Sequence, residues 1–179
     1  MTFLSVVTRC YKRPEMLADN TASLARQTDR DFEQLFMIDE EGMGIGDANR
    51  ILMVADPDGD YVLVLDDDDW LINDRAIELL KGATIESPDI VIFKADHKGL
   101  GILPSKSAWE KRPIKGHIGS CDFITRRDVW DKHIEAFGVD EGGDYAFLKA
   151  IWEDKPVVIW LDELLAGIQR QGRSNGEPE

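Results

Sequence analysis

An apolar run, Tyr61-Val62-Leu63-Val64-Leu65, empties without a spacer into four carboxylates, Asp66 to Asp69, and then Trp70. A strand that is apolar on both sides has to be covered on both faces, as the central strands of α/β sheets are. This one leaves the core through an acidic turn. Two like charges ~4 Å apart repel by about 1 kcal/mol in water and about 4 kcal/mol at an effective dielectric of 20, so carboxylates packed at a strand end favour a cation. Magnesium or manganese suits such a site, because hard cations take oxygen ligands and use one or two carboxylates while substrate phosphates fill other positions. If strand geometry persists through the run, Asp66 and Asp68 share one face and Asp67 and Asp69 the other. The competing reading is a solvated acidic turn with Trp70 beneath it.

The flanking sequence places this strand in an alternating pattern. Phe3 to Val7 reads as a buried strand opening into the polar loop from Thr8 to Arg13, and Pro14 suits the first turn of a helix carrying Leu17, Thr21, Leu24 and Ala25. A second strand spans Phe32 to Ile38, and a short helix Asp47 to Ala55. Asp74 is the expected cap of a helix through Leu80, followed by a strand from Ile90 to Phe93. Such alternation predicts a mostly parallel central sheet with helices on both faces, and ligands bound at the carboxyl ends of its strands. From Lys98 the pattern loosens. His117 to Thr125 reads as a strand or strand pair, Gly142-Gly143-Asp144 precedes a helix, and Val157 to Leu161 makes a last short strand.

At 179 residues the chain reads as one domain, with a nucleotide-binding part at about 1–97, an acceptor part at about 98–168 and a flexible tail at about 169–179. Its formal net charge of −14 repels phosphate backbones and anionic surfaces, so nucleic acid is not an expected partner. Cys10 and Cys121 are the only cysteines and lack metal-ligand spacing, which fits a reducing compartment. No apolar stretch approaches the ~20 residues of a membrane span. The expected location is cytoplasmic, or peripheral to a membrane.

Three sequence blocks together resemble the family 2 glycosyltransferases of the GT-A fold, the nucleotide-diphospho-sugar transferase fold, over about Phe3 to Ser174. The first is Val7-Thr8-Arg9-Cys10-Tyr11-Lys12-Arg13-Pro14, similar to a Pro-Thr-Tyr-Asn-Arg-like loop. The second is Ile38-Asp39-Glu40 with Gly42. The third is Ala48-Asn49-Arg50 followed by Gly59 to Trp70, similar to the family's Asp-X-Asp region. The resemblance implies that Thr8, Tyr11, Arg13, Asp39, Asn49, Asp66 and Asp67 hold a UDP- or GDP-sugar. It implies further that Asp68 binds manganese or magnesium on the diphosphate. Gly143-Asp144-Tyr145 resembles the motif whose aspartate is the general base of inverting transfer, with Gly143 in place of the family's glutamate. Arg170, Arg173 and Ser174 resemble the family's C-terminal Arg or His ahead of a Ser, which implies acceptor or phosphate contacts for Arg170 and Arg173.

The residues support that chemistry independently. Transfer from a sugar nucleotide needs a neutralised leaving diphosphate and a base near the incoming hydroxyl. Asp144 can serve as that base, or cap its helix, or do both, since a helix N-terminus favours an ionised carboxylate. Arg9, Lys12 and Arg13 form a basic cluster able to hold phosphate or to face solvent. His117 can contact the acceptor or be structural, and Trp109 can stack on a sugar or anchor its loop. The resulting reading is a metal-dependent, inverting glycosyltransferase with an unknown glycan, lipid-linked or protein acceptor. The alternative from another class is a non-catalytic sugar-nucleotide or glycan-binding module. An Asp-X-Asp phosphotransferase would carry Thr or Val where Trp70 stands, and a nucleotidyltransferase would have a glycine-rich first loop.

Overall fold

Apart from the short strand at Asp69–Leu71, strand and helix alternate as far as His97, and further antiparallel pieces are then threaded into the same sheet. The structure, a computed structural model, describes residues 2–42, 45–139 and 142–169. In chain order the strands are β1 (Leu4–Cys10), β2 (Phe32–Ile38), β3 (Tyr61–Val64), β4 (Asp69–Leu71), β5 (Ile90–His97), β6 (Gly101–Leu103), β7 (Phe123–Arg126) and β8 (Val158–Ile168). The helices are α1 (Pro14–Ala25), α2 (Ile45–Arg50), α3 (Ala76–Ala83), α4 (Arg127–His133) and α5 (Gly143–Glu153), with short 3₁₀ turns at Ile51–Val54, Ser120–Asp122 and Ile134–Phe137.

The strands form one sheet in the order β2-β1-β3-β7-β5-β8-β4, with β6 on β5. β1 pairs in parallel with β2 and β3, and β5 with β8. These ladders hold most of the paired residues, and β7 runs antiparallel between β3 and β5. Two antiparallel steps restore direction, so β1, β2, β3, β5 and β8 all point the same way. Their carboxyl ends share one rim, where open α/β sheets bind ligands.

Period-two alternation sorts side chains onto the two faces. Tyr61, Leu63, Val91, Phe93 and Ile124 pack with Leu24 of α1 and Ile77 and Leu80 of α3. Val62, Val64, Ile90, Ile92 and Phe123 pack on the other face with Trp130 of α4 and Phe147, Leu148 and Ile151 of α5. Helices therefore cover both faces, as the apolar strands require. On the second face Phe147 sits between Phe137, Trp130 and Phe123, with ring centroids 4.8, 5.6 and 6.1 Å away. Phe147→Ala should cost about 3–5 kcal/mol, read as a lower urea midpoint at unchanged slope, because this filled site has little freedom to collapse.

Several local expectations change. The helix expected over 47–55 is α2 followed by a 3₁₀ turn, and of the 117–125 segment only residues from Phe123 on are strand, which runs one residue further, to Arg126. The last strand is far longer than Val157–Leu161, because β8 pairs with β5 along its length and with β4 at its end. Asp74 does not cap α3. Arg75 holds the N-cap place, Asn73 Oδ1 accepts the Arg75 N–H at 2.9 Å, and the Asp74 carboxylate faces Arg26. Among the described residues no helix is long and apolar enough to cross a membrane.

Candidate functional site

A cavity of about 330 Å³ opens on the shared rim and draws side chains from all five parallel strand ends. Arg9, Tyr11 and Arg13 come from the end of β1 and its loop, Asp39 from the end of β2, and Asp66, Asp68 and Asp69 from the turn after β3. His97 ends β5 and Ile168 ends β8. Asp144 reaches in from α5, with Asn49 and the Gly119–Cys121 segment between.

The four aspartates do not continue the strand. The Asp69 N–H donates to the Asp66 carbonyl at 3.0 Å, closing a turn that breaks the alternation expected for the run. Asp66, Asp68 and Asp69 consequently line the cavity together, while Asp67 turns away and accepts from the Tyr11 N–H at 3.0 Å and from Arg13. Two of the three have a resident cation: Arg9 forks onto both oxygens of Asp66 at 2.6 and 2.5 Å, and Arg13 meets Asp68 at 2.9 Å. Burial, and then the charge of Asp66, push the Asp68 carboxyl up to about 6 despite Arg13. Burial and the charges of Asp66 and Asp68 raise Asp69 well above the ordinary carboxylate range.

Asp39 shapes its side of the cavity by accepting the N–H groups of Glu41 and Gly42 at 3.1 and 2.7 Å. Gly42 has φ +82°, and a Cβ there would lie 2.4 Å from the Tyr11 hydroxyl, so glycine lets the Tyr11 ring close over this turn. Across the cavity Asp144 lies in the first turn of α5, one residue inside the helix. Gly142, at φ +71°, takes the N-cap place, which corrects the capping role considered for Asp144. Burial raises the Asp144 carboxyl, against the Tyr145 N–H and the charge of Arg9. A Cβ on Gly143 would lie 2.5 Å from the Phe137 carbonyl oxygen, so the glutamate of the resembled motif has no room at this position.

Other expectations move. Thr8 is fully buried and accepts from Gln34 Nε2 at 3.0 Å instead of lining the cavity, and Asp67 is turned out of it. Trp109 packs on Trp160, centroids 5.1 Å apart, under Lys94, and anchors its loop away from the cavity. His117 also lies off the cavity. Arg170, Arg173 and Ser174 fall outside the described residues. Asn49 is at the site, but its amide links Arg9 at 2.5 Å to the Val139 carbonyl at 2.8 Å.

His97, Cys121 and Asp122 were not legible as a group in the sequence. His97 Nε2 lies 3.0 and 3.1 Å from the two Asp122 oxygens, and Cys121 Sγ donates to Asp69 at 3.3 Å. These residues come from the end of β5 and a 3₁₀ turn more than twenty positions later, so no local spacing announces them.

Among the described residues no group of three or more His, Cys, Asp or Glu side chains forms a metal cage. Magnesium and manganese need less than a cage when phosphates complete the shell. The oxygen-only donors of Asp66 and Asp68, with an Asp68 carboxyl raised to about 6 by burial and like charge, fit such a cation.

The chain has a GT-A-type fold, with helices on both faces of a sheet whose parallel strands converge on one acidic cavity. The sequence matches no protein-family model and no curated protein. In three dimensions the chain is similar to S. aureus TarS. It superposes on TarS 1-349 with TM-score 0.72 at 18% identity, covering 94% of this chain and 60% of that one. On the longer S. aureus TarS structure the TM-score is 0.72 at 16% identity, with 94% and 37% covered. On TarS 1-349 in complex with UDP-GlcNAc it is 0.69 at 16% identity, with 99% and 62% covered. The chain thus spans about 60% of the shorter TarS chain.

Proposed function

We propose that this chain is a metal-dependent, inverting glycosyltransferase of the family 2 type, moving a sugar from a UDP- or GDP-sugar to a hydroxyl acceptor. The observation that carries the reading is the meeting of Tyr11, Arg13, Asp39, Asp66, Asp68 and Asp144 in one cavity at the carboxyl rim. The TarS fold is known with UDP and with UDP-GlcNAc bound, which supports a uridine donor. Tyr11 and Asp39 would face the nucleotide and Arg13 the diphosphate. Asp68, with Asp66, would hold manganese or magnesium, which when bound offsets charge on the leaving diphosphate. Asp144 would take the acceptor O–H proton as that oxygen bonds to the anomeric carbon. The bond to the diphosphate breaks on the opposite face and its electron pair leaves with the diphosphate, giving inversion in one displacement.

Calorimetric titration of the metal-stripped protein with UDP and GDP, each with and without manganese, tests the donor half. Manganese-dependent binding of UDP is expected, and binding of neither nucleotide would remove the reading. Gly143 in place of the motif's glutamate favours one competitor, a module that binds the donor without turnover. Donor hydrolysis, or transfer to any acceptor, separates the two.

A further inference from the structure

Asn20 is fully buried in the middle of α1, where an amide is costly unless its polar atoms are paired. Its Nδ2 donates to two carbonyls at 2.9 Å each, those of Asp66 and Asp69, and its Oδ1 accepts from Gln34 Nε2 at 2.8 Å. The two carbonyls belong to the first and last residues of the acidic turn, so one side chain ties both ends. The two carbonyls only accept, so they fix which way the Asn20 amide points, and Gln34 of β2, which also donates to Thr8 Oγ1 on β1, fills the oxygen left over. One helical turn on, Ser23 Oγ donates to the Asn20 carbonyl at 2.6 Å and accepts the Leu71 N–H at 3.1 Å. Asn20 of α1, backed by Gln34, thus holds the backbone at both ends of the turn without touching its carboxylates, and Ser23 holds the strand that follows.

We infer that Asn20, braced by Gln34, is a positioning residue for the donor site: it sets where Asp66 and Asp68 point, and through them the affinity for a nucleoside diphosphate. The inference rests on the donor-site reading above. The chemistry is specific to the amide. Two acceptors 2.9 Å away need two N–H donors on one planar group, and the isosteric aspartate offers none and would repel both carbonyls. Gln27 is a natural control, because it is equally buried just past α1 but its amide holds Ser23, Asn73 and Ile77, not the acidic turn.

The test compares Asn20→Asp, Gln34→Leu and Gln27→Leu with the unaltered chain by amide hydrogen exchange without ligand and by calorimetric titration with UDP and manganese. Asn20→Asp should speed exchange of the Asp69 and Leu71 amides and weaken UDP binding by about tenfold or more, with Gln34→Leu moving both the same way by less. Gln27→Leu should lower the melting temperature yet keep affinity within about twofold. Unchanged exchange and affinity in a folded Asn20→Asp protein overturn the inference, as does an equal affinity loss in Gln27→Leu. If Asn20→Asp fails to fold, Gln34→Leu decides by the same two readouts. If the unaltered chain binds no nucleotide, the donor reading falls, and the exchange rates still decide the clamp.

Discussion

Asp68→Ala is expected to weaken manganese-dependent UDP binding by more than about 100-fold, because magnesium-type sites rest on only one or two protein carboxylates. The fold should survive. Asp68 is 12% exposed and is held by Arg13, which keeps its second partner Asp67 after the substitution. Removing a buried carboxyl that burial and Asp66 push up to about 6 also relieves like-charge repulsion within the turn. Titration with UDP and manganese reads the loss, and near-UV circular dichroism reads the fold. Retained metal-dependent binding would remove Asp68 as the ligand.

Asp144→Asn should lower turnover by about 10²–10⁴-fold while leaving the UDP dissociation constant within about twofold, the pattern of an interaction made only in the transition state. The asparagine keeps an oxygen for the Tyr145 N–H that Asp144 accepts at 2.7 Å, so the first turn of α5 should hold. It cannot take a proton at neutral pH. The sign of the pH dependence follows from burial, which raises the Asp144 carboxyl. A base must be ionised to work, so kcat/KM should fall on acidification at a higher pH than an unperturbed aspartate would give. Unchanged turnover would falsify the assignment of Asp144 as base.

Much of the frame was legible in the sequence because it depends on local pattern. The Tyr61–Leu65 run demanded cover on both faces and received it from α1 and α3 on one side and α4 and α5 on the other. Pro14 opened α1 as expected, and β2 ended at Ile38, one residue before Asp39. The expected sorting, Asp66 with Asp68 and Asp67 on the other side, was met, but Asp69 did not stay with Asp67, because that part assumed an extended backbone. A turn closed by Asp69 and clamped from α1 rotated Asp69 to the cavity instead. Thr8 was expected in the motif loop but lies on β1, which runs to Cys10; it faces inward, and its hydroxyl accepts from Gln34 of the neighbouring strand.

By itself the sequence determined the alternation of the main strands and helices from β1 to β5, though not β4, β6 or α4, together with the acidic exit from β3 and the polar strand ends, all of which follow from side-chain periodicity and turn chemistry within a few residues. Only the tertiary structure decided the insertion of β7 between β3 and β5, the long reach of β8, and the company that Asp144 keeps. It alone brought Asp122 to His97, Cys121 to Asp69 and Asn20 to the turn. Those contacts join residues 25 to 52 positions apart, set by sheet order and by the need of each buried polar atom for a partner, and no local pattern encodes them.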